Sequence, residues 1–211
     1  MQDPRHFNPN DAEVLHDVLR WRRDVRHFKP DPIPAQVMTR LRAAVDLAPS
    51  VGNARPWKFL SVRNPACRAA VAATFEQENS RAAKAYNNAD RDEYIALKLA
   101  GLRDAPEHIA VFTDTDPVEG RGLGRQTMPE MLAYSTVTAI HTLWLAARVE
   151  NLGVGWVSIL DPKKITQIFE VPEHWRFTAY LCLGQPQFTD DTPLLHRTGW
   201  QENTPTPWAE V

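Results

Sequence analysis

The sequence predicts an α+β domain, a mixed, mainly antiparallel sheet of four strands flanked by helices. Three observations lead there. The chain has 211 residues, and one domain takes roughly 100 to 200. Short β-branched and aromatic runs alternate with longer stretches of helical spacing, in the order ααβ, αα, βα, βα, β, without repeats or an internal linker. Hydrophobic residues make up 43% and charged residues 24%, so a sizeable core can form and wholesale disorder is excluded. One domain is therefore expected over 1–211.

Asn10 and Glu13 have the spacing of a capping box, and Val14, Leu15, Val18 and Leu19 follow on one helical face, ending near residues 20–23. A Pro-rich connection, 29–34, leads to a second helix carrying Val37, Leu41, Val45 and Ala48. Pro49, Gly52 and Pro56 break it, and 58–63 reads as the first strand. Asn64-Pro65 caps a long Ala-rich helix. Asp90 and Glu93 open another through Leu99 and Leu102, and 108–113 is the second strand. From Asp114 to Met128 the composition is that of a loop. Pro129 starts a helix that runs to Asn151, is stopped by Gly153, and is apolar around most of its circumference, so it needs burial on several sides. Residues 155–159 are the third strand, Asp161-Pro162 caps a short helix to Phe169, and 177–183 is the fourth strand. The tail, 187–211, reads as irregular.

Twenty-four Lys and Arg against 26 Asp and Glu give a net charge of −2. That balance offers no global field for nucleic acid or an anionic membrane, so any anion site must be local. Cys67 and Cys182 form neither a disulfide framework nor a zinc motif, which fits a reducing, cytoplasmic compartment. The N-terminal residues lack a signal-peptide core. The longest uncharged run, 131–147, falls short of the roughly 20 apolar residues that span a bilayer. Neither export nor membrane insertion is expected.

The densest local charge is RWRRDVR, with Arg20, Arg22, Arg23 and Arg26 around Asp24. Guanidinium forks match phosphate oxygens, so a cluster where a helix gives way to a loop suits a phosphorylated ligand. Cations favoured at a helix C-terminus, with a surface ion pair to Asp24, explain it equally. In PSVGNARPW, Gly52 allows close approach to a flat ligand, or simply a helix-to-strand connection. The G-x-G of GVGWVS lacks the third glycine of a dinucleotide fingerprint, and no G-K-[ST] loop occurs. The seven histidines show no metal-ligand spacing, and no G-x-S-x-G elbow supports hydrolysis.

RRDVR (22–26), APSVG and PW (48–57), LKLAGLRDAP (97–106), the segment 134–159 and YLCLG (180–184) together resemble the flavin-dependent nitroreductase-like proteins, in collinear order over about residues 13–186. Asp24 inside RRDVR, with GWVSI, is similar to the branch whose members fragment FMN. The resemblance implies an obligate homodimer of α+β sandwiches with FMN at the subunit interface and the helix 129–151 as a dimer element. Carried over by position, Arg22, Arg23, Asp24, Val25, Arg26, Ser50, Leu99 and Ser158 contact FMN, and Asp24 and Ser158 are catalytic. Residues 79–104 form a lid over the flavin. The implied reaction uses reduced FMN as substrate and molecular oxygen as co-substrate. It yields 5,6-dimethylbenzimidazole, the lower ligand of cobalamin, and erythrose 4-phosphate. A separate NAD(P)H-dependent flavin reductase would supply the reduced FMN. An NAD(P)H-dependent nitroreductase or flavin reductase, and a non-catalytic FMN-binding protein, are the competing activities. Arg55 departs from the family's usual Gln before Pro-Trp.

Overall fold

The computed structural model describes residues 5–84 and 101–210. Helix α1 spans Pro9–Trp21, and its cap is Asn8, two residues earlier than the spacing of Asn10 and Glu13 predicts. Asn8 Oδ1 accepts from the N–H groups of Asn10 and Asp11, while the Asp11 carboxylate accepts from Asn8 N–H at 2.9 Å. Pro9 decides the register, because its missing N–H costs nothing at the first helical position. Helix α2 (Ala35–Val45), strand β1 (Trp57–Ser61) and helix α3 (Pro65–Ala83) follow, the last capped by Asn64 as predicted. The expected helix through Leu99, and most of the expected lid, lie outside the described residues. Gly101–Asp104 makes one helical turn before strand β2 (Glu107–Asp114).

Helix α4 (Met131–Val149) does not end at Gly153. Asn151 takes the left-handed conformation, φ 57°, a role its short polar side chain tolerates. Gly153 instead opens strand β3 (Gly153–Val157), which starts two residues before the expected 155–159. Asp161 caps helix α5 (Pro162–Phe169), and β4 spans Trp175–Gly184. The tail expected to be irregular contains one helical turn, Leu194–Arg197.

The strands pair antiparallel in the order β1-β2-β4-β3. Alternate residues of the two central strands serve two cores. Ile109, Val111, Leu181 and Leu183 pack with Leu41 of α2 and with Ile140 and Leu143 of α4. Ala110, Phe112, Tyr180 and Cys182 pack on the other side with Val71 of α3 and Ile165 of α5. Helices thus cover both faces, which is why β2 and β4 read as nearly continuous apolar runs.

The outer edge of β3 is covered by the segment that leaves α1. Val25 N–H donates to Val154 O at 3.1 Å, and Asp24 bridges Val154 in the parallel sense. Farther on, Lys29 N–H donates to Gln185 O and Gln187 N–H to His27 O, so residues 24–29 form a strap along β3 and past the end of β4. Such contact leaves no room for side chains at residues 153 and 155. A Cβ at Gly155 would lie 2.2 Å from Val25 O, and one at Gly153 would lie 2.5 Å from Val25 Cγ2. The G-x-G pattern therefore serves backbone packing. Gly155→Ala should force the strap off the edge and destabilise the fold by about 1–3 kcal/mol, read as a lowered Tm; an unchanged Tm would mean that the strap does not depend on this contact.

Candidate functional site

The strap turns the end of α1 into one wall of a cavity of about 350 Å³, at the small end of the range for ligand sites. Arg22, Arg23, Asp24, Val25 and Arg26 line it from the strap, Trp144 and Arg148 from α4, and Phe188, Asp190, Arg197 and Trp200 from the tail. The RRDVR residues singled out in the sequence are thus brought together. Five arginines face two aspartates across this space, so the local potential is positive although the chain as a whole carries −2.

The arginines are held in different ways. Arg20, on α1, donates from Nε and Nη2 to Asp191 Oδ2 at 2.9 and 2.6 Å. Arg197 is ion-paired with Asp190. Arg23 donates to the backbone oxygens of Arg22 and Asp191. Arg22 lies over the Trp144 indole, its Cζ 4.9 Å from the ring centroid. Burial lowers the Arg22 pKa, as does the neighbouring Arg23 charge, with Asp24 opposing them. The Nε atoms of Arg22 and Arg23 are both buried without a hydrogen-bond partner. Buried donors normally find acceptors, so these two fit an anionic group entering the cavity.

Asp24 sits at the centre of the strap. Its Oδ1 accepts from Trp156 N–H at 3.0 Å, and its Oδ2 accepts from Arg26 Nε at 3.3 Å. The side chain keeps 36% of its surface accessible, yet protein crowds the carboxyl group enough for burial to raise its pKa. The Trp156 N–H and the Arg26 charge pull the other way without cancelling that rise. A carboxyl that holds its proton more tightly than usual, in a cavity rich in cations, has the properties of a general acid.

The remaining predicted residues lie farther off. Ser158 is exposed just beyond β3, two residues past the Trp156 N–H that holds Asp24, or about 7 Å of extended chain. Ser50 is half-buried in the 49–57 loop, where its Oγ accepts from Arg55 N–H at 3.0 Å. The next residue, Val51, donates its N–H to Ser135 Oγ near the start of α4. Trp144 stands nine residues along the same helix, about 14 Å away, so within one chain Ser50 is remote from the arginines. Gly52 is committed to loop packing, since a Cβ there would lie 2.8 Å from Leu123 O. Leu99 lies outside the described residues. Trp144, Arg148 and Trp200 are cavity residues that the sequence reading passed over. The four-residue spacing of Trp144 and Arg148, on one helical face, was the available signal.

The chain belongs to the nitroreductase family, whose model matches residues 19–185. It is 56% identical, over 96% of its length and 98% of the other, to the 5,6-dimethylbenzimidazole synthase of Rhodobacter capsulatus. The protein of that name from Rhodospirillum rubrum is 49% identical over 95% of each chain. Among solved structures, oxidised iodotyrosine deiodinase bound to FMN and 3-iodo-L-tyrosine has the same fold, with a TM-score of 0.69 at 21% identity over 93% of this chain and 96% of that one. Among the described residues, no helix is long and apolar enough to cross a membrane.

The raised pKa of Asp24 makes a prediction about stability. Burial penalises the ionised form, so the folded state keeps the proton to higher pH than the unfolded chain. The stabilising contribution is complete below the unfolded value of about 3.9 and is lost as pH rises through the folded value. Asp24→Asn retains an acceptor for Trp156 N–H and cannot ionise. Its Tm relative to the parent should therefore climb as pH rises from about 4 through the folded value. A constant difference across that range would mean that the arginines hold Asp24 ionised throughout.

Proposed function

We propose that this chain is a 5,6-dimethylbenzimidazole synthase: a homodimeric oxidoreductase that takes reduced FMN and molecular oxygen and releases 5,6-dimethylbenzimidazole and erythrose 4-phosphate. The observation that carries the reading is identity of 49–56% over nearly the whole chain with proteins of that name. The cavity supports it, because two buried guanidinium donors without partners suit a phosphate and the tryptophans beside them suit a planar ring system. The reduced isoalloxazine supplies the electrons that activate oxygen, and a separate NAD(P)H-dependent flavin reductase supplies it in that state.

The protein's part is to bind, orient, exclude water and move protons. Arg22, Arg23 and Arg26 hold the phosphate and the polar edge of the ring by charge-assisted hydrogen bonds. Asp24 acts as general acid and base during ring fragmentation, with burial strengthening its hold on the proton. Ser158 orients the ligand by hydrogen bonding from beyond the end of β3. Val25 contributes backbone and an apolar edge, and Leu99 and the lid over 79–104 belong to the same reading. A homodimer accounts for two features of the single chain. Val14 and Leu15 on α1, and Tyr134 and Val137 on α4, are apolar or aromatic yet exposed, and a second copy would cover them. Ser50, remote from the arginines of its own chain, would reach the flavin from the second copy.

The direct test is aerobic incubation of the purified protein with chemically reduced FMN, followed by chromatography. Dimethylbenzimidazole is the expected product, and oxidised FMN with hydrogen peroxide alone would overturn the reading. Arg22→Ala should weaken FMN binding by about 1.5–3 kcal/mol, the worth of a charge-assisted contact, in a flavin titration. Asp24→Asn should still bind FMN while fragmentation falls about 10²- to 10⁴-fold. Parent-rate product formation by that variant would remove Asp24 from the chemistry.

A further inference from the structure

Arg22 differs from the other cations around the cavity in what holds it. Arg20, Arg26 and Arg197 each meet a carboxylate, from Asp191, Asp24 and Asp190 respectively. Arg22 rests on an indole. An aromatic face attracts a guanidinium electrostatically but offers no strong acceptor for its N–H groups. The cation is therefore fixed in place while its charge and donors stay available, which agrees with the unpartnered Nε. A carboxylate in the position of Trp144 would neutralise the charge and occupy the donors that a ligand needs.

The same indole reaches two further parts of the site. Trp144 Nε1–H donates to Arg23 O at 3.3 Å, fixing the backbone at the start of the strap. Its ring also lies against Trp156, centroids 6.4 Å apart at 44°, and the backbone N–H of Trp156 holds Asp24 Oδ1. Trp144 projects from α4 between Leu143 and Ala147, both in the core, so the platform under Arg22 belongs to the most firmly packed helix of the fold.

We infer that Trp144 is the positioning residue of the arginine cavity: it presents Arg22 to an anionic phosphate without neutralising it and ties the strap that carries Asp24 to the core. The inference rests on the reading that FMN binds in this cavity, and it concerns the phosphate end of the ligand. A purely structural Trp144 would support flavins with and without a phosphate equally. A Trp144 acting through Arg22 would favour the phosphorylated one and would matter only while Arg22 is present.

FMN and riboflavin titrations of the parent, Trp144→Phe, Trp144→Leu, Arg22→Ala and each double variant separate these cases. Phenylalanine keeps a weaker aromatic face and loses the N–H; leucine loses both. The cation–π contribution predicts FMN binding weakened about 2- to 5-fold in W144F and about 5- to 30-fold in W144L. Riboflavin affinity should change less than about twofold, and on the Arg22→Ala background either Trp144 substitution should cost FMN affinity almost nothing further. Losses that persist undiminished on that background, equal losses for the two flavins, or no loss at all would overturn the inference. If W144L fails to fold, W144F and its double variant carry the same comparison. An Arg22→Ala variant that binds FMN as tightly as the parent would instead overturn the placement of FMN in this cavity.

Discussion

The structure around the cavity depends on one close contact, the seating of Val25 on the outer edge of β3. An edge strand presents unpaired backbone groups, and here the strap satisfies them, with Val25 N–H on Val154 O and the Asp24 carboxylate on Trp156 N–H. The approach is possible only because residues 153 and 155 lack side chains. It sets where α1 must end, which in turn sets where Arg22 and Arg23 point. The strap continues to Phe28, fully buried in the second core, so its far end is anchored as firmly as its near end. The functional residues therefore sit on a short irregular segment that is held like a fifth strand.

Electrostatics then divides the arginines into two groups. Arg20 with Asp191 ties α1 to the tail, and Arg197 with Asp190 is a pair within the tail; exposed pairs of this kind contribute little to stability. Arg22 and Arg23 are half-buried, repel one another and keep buried Nε donors without partners, an arrangement that costs free energy and that an anion in the cavity would relieve. In the proposed function ligand phosphate and protein are complementary in this sense: the site is least comfortable where the ligand is most charged.

Much of this was legible in the sequence. The strands, the Asn64-Pro65 and Asp161-Pro162 caps and the two-faced apolar sheet follow from local rules that depend on neighbouring residues alone. The RRDVR cluster stood out because five charges in seven residues, at the end of a helix, have few other uses. Other features were not legible for definite physical reasons. The cap shifted to Asn8 because Pro9 and Asp11 offered a better box than Asn10 with Glu13, a competition between overlapping local motifs. Asn151 took the left-handed position that Gly153 was expected to fill, because Gly153 was required by Val25, a residue 128 positions away in the chain. Trp144 reads as core in an apolar helix, and nothing local shows that the end of α1 will lie across it. Ser50 was singled out by family resemblance alone; its neighbour Val51 is bonded to Ser135, which lies about 14 Å along α4 from Trp144.

In the proposed function Asp24 joins the fold to the chemistry, and its two oxygens have different neighbours. Oδ1 takes a backbone N–H that the sheet edge must satisfy in any case, which fixes the carboxyl group in position and disfavours protonation on that oxygen. Oδ2 accepts from Arg26 Nε, a side-chain contact that the strap's backbone pairing does not depend on. Burial raises the affinity for that proton more than the two donors lower it. A carboxyl held by the backbone through one oxygen and by a side chain through the other is fixed in position by the sheet edge, and in the proposed function that anchored group is the acid.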